Sequence, residues 1–156
     1  MEQLAAALLA WITAHSDLET RSLPLPEIVL MSPQTLTCEY YHGAPHLIPT
    51  DGVDDRLNAL YAAEDGPHGT IYTLAPAHID GAEDFDDPAD NPLFREILLH
   101  ELVHHAQWQT GQPVGWACQS QGEKDAYHLG GQYLKELRIT DPIPNRNFWA
   151  HMYSLC

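Results

Sequence analysis

Residues 100–104 read His-Glu-Leu-Val-His. Helical residues turn about 100° and rise about 1.5 Å each, so positions four apart lie nearly one above the other. On a helix, the His100 and His104 rings therefore point the same way, one turn apart. Two imidazoles so placed can reach one metal ion at Zn–N distances of about 2.0–2.1 Å. Glu101 lies on the edge of the same face, where it can hold a metal-bound water as the general base of a hydrolysis. The chain has 10 histidines among 156 residues, so an accidental match must be weighed. Accident would make both rings ordinary surface or core residues that happen to fall at helical spacing.

The flanking residues argue against accident. Asn91-Pro92 supplies an N-cap residue followed by proline at the first helical position. Gly111 and then Pro113 supply a stop. Between them, Leu93 to Trp108 carries apolar residues on most sides, so this helix is expected to be buried. Buried histidines need partners, and a metal is one.

Zinc in catalytic sites usually takes three protein ligands and keeps a position open. The best third ligand is Glu123, 19 residues after His104, at the start of a second predicted helix over 123–137. The inward stripe of that helix would run Ala126, Gly130, Tyr133, Leu134 and Leu137. Glu123 is in register with it, and a carboxylate on an apolar face needs a reason such as coordination. The competing reading is local: Ser120-Gln121-Gly122-Glu123 fits a capping box, with Glu123 bonding back to a backbone N–H. Asp125 and His128 are lesser candidates for the third position.

With His100-Glu101-x-x-His104 and a glutamate on its own helix some twenty residues later, the chain resembles the gluzincin zinc metallopeptidases. The text around the motif, Leu99 to His105 and Glu123-x-x-Ala126-Tyr127, is most similar to small bacterial members. These are the minigluzincins and the metallopeptidase domain of the ImmA/IrrE regulators. The resemblance spans residues 70–137. It implies one catalytic Zn2+ held by His100, His104 and Glu123, with Glu101 as general base and a peptide or protein as substrate. In that family a sheet edge runs along the cleft, and an extended peptide can add to such an edge. Thr70–Leu74, just before the motif helix, is the candidate edge here, or else an ordinary core strand.

The positions that would assist are less defined. Tyr127, one turn after Glu123, is a candidate catalytic donor to the oxyanion. Tyr153 and His151 in the tail are others. His105 is expected outside the ligand set, and Gln107 or Trp108 beneath it. The rival to an enzyme is a metal-bound regulatory or binding domain, latent or non-catalytic. In that case the tail would fill the cleft, with Cys156 as a metal-blocking thiolate.

Composition sets the frame. One domain of 156 residues is large enough for a core without staples. The 22 acidic and 7 basic residues give a formal charge of −15, which argues against nucleic acid and against anionic membranes. Either it serves solubility or it favours cationic and neutral substrates. No run of about twenty apolar residues is present. Residues 4–14 are apolar, but Met1-Glu2-Gln3 lacks the basic start of a secretory signal. Leu4, Leu8, Trp11, Ile12 and His15 form a helical stripe instead, so 2–15 is read as an amphipathic first helix, and a cytoplasmic location is expected. The odd count of cysteines (Cys38, Cys118 and Cys156) leaves at least one unpaired within the chain. Cys118 could tie its loop to Cys38, or the thiols could be buried and reduced.

The remaining elements follow from local signals. Glu27–Met31 reads as a strand. Asn58–Ala62 and Thr70–Leu74 read as a hairpin around Glu64-Asp-Gly-Pro-His-Gly69. Asp80, Asp84, Asp86, Asp87 and Asp90 make an acidic loop whose spacing does not match a calcium loop, so it is read as solvated. The expected fold is α+β: a small, mostly antiparallel sheet packed on the motif helix and the glutamate helix.

Overall fold

The computed structural model describes residues 1–156. It is α+β, with five helices and a three-stranded sheet. In chain order these are α1 (Glu2–His15), β1 (Glu27–Met31), α2 (Pro33–Tyr40), β2 (Ala59–Ala62), β3 (Thr70–Leu74), α3 (Pro92–Gln109), α4 (Glu123–Glu136) and α5 (Arg146–Tyr153). Short 3-10 turns fill the connections. No helix is long and apolar enough to cross a membrane.

α3 is the central element. The Asn91 side chain caps it by accepting from the Leu93 N–H, and Pro92 opens it without losing a donor. Phe94, Leu98, Leu99, Leu102, Val103 and Ala106 are fully buried, which places apolar contacts on most sides. α1 covers one side with Ala5, Leu8, Leu9 and Ile12. Trp11 and His15, from the expected α1 stripe, lie at the margin: Trp11 packs edge-on against Tyr133 of α4 and donates to Glu136. α4 covers another side with Ala126, Leu129 and Tyr133. Leu137, expected on that stripe, is exposed, because α4 ends at Glu136 and Arg138 turns the chain with φ of 59°.

The strand order is β1-β3-β2, with β1 parallel and β2 antiparallel to β3. The sheet is thus mixed, with the expected hairpin as its antiparallel half. Thr70–Leu74 is the central strand, paired on both sides, so it cannot be the edge along a cleft. That position belongs to β2, paired only with β3. Gly69 allows the turn into β3: its φ is +84°, and a Cβ there would lie 2.2 Å from the Tyr61 hydroxyl. The acidic loop is solvated, with all five aspartates exposed; Asp87 caps a turn and Asp90 pairs with Arg95.

Candidate metal centre

α3 and α4 pack side by side and bring His100, His104 and Glu123 together. The two Nε2 atoms are 3.2 Å apart. Glu123 Oε2 is 3.2 Å from His100 Nε2, and Glu123 Oε1 is 3.5 Å from His104 Nε2. Three donors bound tetrahedrally at about 2.05 Å lie about 3.3 Å from one another. The triangle in this chain has that size, so one zinc-sized ion fits against all three donors. Among the side chains able to bind a metal, these three form a group, with no fourth protein ligand among them.

Glu123 is not a cap. α4 begins after Gly122, with no side chain capping it, and the Glu123 carboxylate turns toward the imidazoles. Burial alone would raise its pKa, but hydrogen bonds from His100 and His104 outweigh burial and hold it well below the usual carboxylate range. Burial pulls the His104 imidazole down, yet the Glu123 carboxylate and the Glu101 charge overcome this and hold it up at about 9. The cluster is therefore a place that attracts positive charge.

Glu101 differs from its neighbours. The residue is 8 % exposed, and its carboxylate lines the cleft rather than bonding to another protein group. Burial raises its pKa, Glu123 and Glu96 add to the rise, and the two histidines oppose it. A carboxylate so placed is poised to exchange a proton with whatever enters beside it.

These groups open into a cleft of about 670 Å³. α3 forms its floor and β2 one wall, through Asn58 to Tyr61. The loop before α4 adds Trp116 and Ser120; the tail adds Ile143, Arg146 and Tyr153. The expected Tyr127 packs edge-on against His100, with ring centroids 5.1 Å apart, and lines the cleft. Burial pushes its hydroxyl up to about 12, helped by the Glu123 charge, so it stays a proton donor near neutral pH. Tyr153 stacks on Tyr127 at 5.5 Å, so the tail does reach the cleft; His151 is exposed and does not line it. His105 lies outside the ligand group, held by Pro24 O at 2.8 Å and the Tyr61 hydroxyl at 3.3 Å. Asp125 and His128 are exposed and outside the metal group.

The chain belongs to the DUF6647 family. Its family model, described as a domain of unknown function, matches residues 1–153. No curated protein and no solved structure matches this DUF6647 chain significantly.

Two features of the DUF6647 chain carried little signal in its sequence. Arg146 is 5 % exposed at the cleft wall and donates to Glu96 at 2.7 Å and, through two nitrogens, to Asp141 at 2.7 and 2.9 Å. Gly130 makes room for that pair, since a Cβ there would lie 2.2 Å from Glu96 Oε1. The second is the disulfide, which joins Cys118 to Cys156 with Cα atoms 5.8 Å apart. Cys38 is unpaired and exposed rather than buried. The bridge ties the loop carrying Trp116 to the tail carrying Tyr153, two segments that line the cleft. It also removes Cys156 as a blocking thiolate.

Proposed function

We propose that this chain is a zinc-dependent metallopeptidase that hydrolyses peptide bonds. The observation carrying the proposal is the His100–His104–Glu123 triangle with the Glu101 carboxylate beside it in the cleft. A zinc ion held by those three residues would supply Lewis acidity to a scissile carbonyl and lower the pKa of a water. Glu101 accepts the proton of the attacking water and passes it to the leaving amine nitrogen. Tyr127, protonated and next to His100, donates to the oxygen on which negative charge develops. β2, the edge strand along the cleft, offers main-chain groups to an extended peptide. A chain of this acidity is suited to neutral or cationic peptides, not to nucleic acid or anionic membranes.

A second reading has one observation in its favour. Tyr153 stacks over Tyr127 within the cleft, which suits a latent or purely binding domain that keeps the metal. Three ligands and an intact Glu101 favour the enzyme, because structural zinc sites are usually closed by four protein ligands. As to location, the Cys118–Cys156 bridge fits an oxidising compartment better than the cytoplasm.

Glu101→Gln decides between the two. It should keep one zinc per chain and lower peptide cleavage by roughly 10²–10⁴-fold, the usual share of a general base. Cleavage at the wild-type rate in that variant would remove Glu101 from the role. A wild-type chain that binds zinc and cleaves none of a diverse peptide library would favour the latent domain.

A further inference from the structure

Gln107 is fully buried on α3, three residues beyond His104. Its carboxamide has two contacts. Nε2 donates to the Gly122 carbonyl at 3.0 Å, and Oε1 lies 3.0 Å from His104 Nδ1. The first contact orients the second, because only the nitrogen end of an amide can donate to a carbonyl. Oε1 therefore faces His104, and an amide oxygen only accepts. His104 Nδ1 must then carry a proton. In the neutral ring that a metal would bind, this is the only N–H, so Nε2, which shares its proton with Glu123 when the ring is charged, offers a lone pair on the side of His100 and Glu123.

We propose that Gln107 is a positioning residue: it fixes the proton of His104 on Nδ1 and so keeps Nε2 free for a divalent metal. This rests on the metal-centre reading above. The same amide also joins the two ligand-bearing helices, because Gly122 immediately precedes Glu123. Gly122 is suited to this contact. A Cβ there would lie 2.7 Å from Gln107 Oε1 and 2.6 Å from the Trp116 ring, so a larger residue would push the amide or the indole away. This amide adds a polar tie beside the site to the apolar packing of α4 on α3.

The test compares wild type with Gln107→Met and Gln107→Glu, using zinc itself and a competing chelator, with melting temperature alongside. Met fills the space but neither accepts nor donates. Glu still accepts from Nδ1 but cannot donate to Gly122. We expect Met to weaken zinc binding about 10–100-fold, the usual effect of losing such a partner. Glu should bind more tightly than Met. In zinc-loaded wild type, nitrogen NMR of the His104 ring should show a slowly exchanging proton on Nδ1 and the metal on Nε2. That last reading stands even where a variant fails to fold. A Met variant that melts lower yet binds zinc like wild type would reduce Gln107 to a packing role and overturn the proposal. So would metal on Nδ1 of His104. A wild-type chain that takes up no zinc overturns the metal centre itself, whereas the other two outcomes overturn only Gln107.

Discussion

Two clusters of ionisable side chains lie a turn apart on α3, and they are built on different terms. Around Glu96, charges are matched: Arg146 spends its guanidinium on Glu96 and Asp141, and Gly130 clears the space for it. Around His100, three donors converge at metal-ligand spacing, and the Glu101 carboxylate faces the cleft without a protein partner. Buried polar groups are ordinarily satisfied, because an unmade hydrogen bond costs about 1–3 kcal/mol. No buried side-chain polar atom in this chain is left without a partner, so the two clusters differ in what they face: the Glu96 pair is sealed against the tail, and the His100 group lines the cleft. The difference therefore marks the Glu96 cluster as a device for holding the tail against α3 and α4. The His100 cluster, open to the cleft, suits the metal site proposed above.

The contrast can be broken in several places. The largest stability effect should come from Arg146→Met, which leaves Glu96 buried without its partner. Breaking a buried pair in this way costs about 3–5 kcal/mol, read as a lowered urea midpoint. Adding Glu96→Leu should recover much of that loss. If Arg146→Met instead left stability unchanged and changed only zinc binding, the division of labour between the clusters would be wrong.

Next comes the bridge between the loop before α4 and the tail. Cys118→Ser removes a bridge closing a 38-residue separation, and loop-closure entropy sets its contribution at about 4 kcal/mol or less. Thermal melts with and without reductant should show the same loss in wild type and none in the variant.

The smallest effect concerns acid. Burial raises the Asp141 pKa, but the hydrogen bond from Arg146 outweighs this and holds the carboxyl below its ordinary value. A depressed folded-state pKa contributes stability in full above the unfolded value of about 3.9, and loses it as pH falls through the folded one. Wild type should therefore weaken below about pH 4 more steeply than Asp141→Asn. Parallel pH profiles would show that Asp141 adds nothing to the Glu96 cluster.

What the sequence revealed tracks how local each signal is. His100, Glu101 and His104 fall within one helical turn or so, and the cap and stop of α3 are written beside them. Glu123 was legible through its phase with Ala126 in α4. The β2–β3 hairpin was legible from its turn residues. The β1–β3 pairing was not: it joins parallel segments across the α2 region, and no local residue records it. For the same reason Thr70–Leu74 could not be told from an edge strand. Arg146 meets Glu96 from 50 residues away, and neither residue looks special in isolation. Gly130 fitted an apolar stripe, although what it provides is room for a carboxylate. Three cysteines allow three single bridges, and spacing does not choose Cys118–Cys156 among them.

Diffraction from crystals of the zinc-loaded chain, recorded on both sides of the zinc absorption edge, tests the central claim most directly. The account predicts one anomalous peak, bonded to His100 Nε2, His104 Nε2 and a Glu123 oxygen at about 2.0–2.2 Å, with solvent in the remaining position. No peak between those three side chains, or a fourth protein ligand closing the ion off, would contradict it.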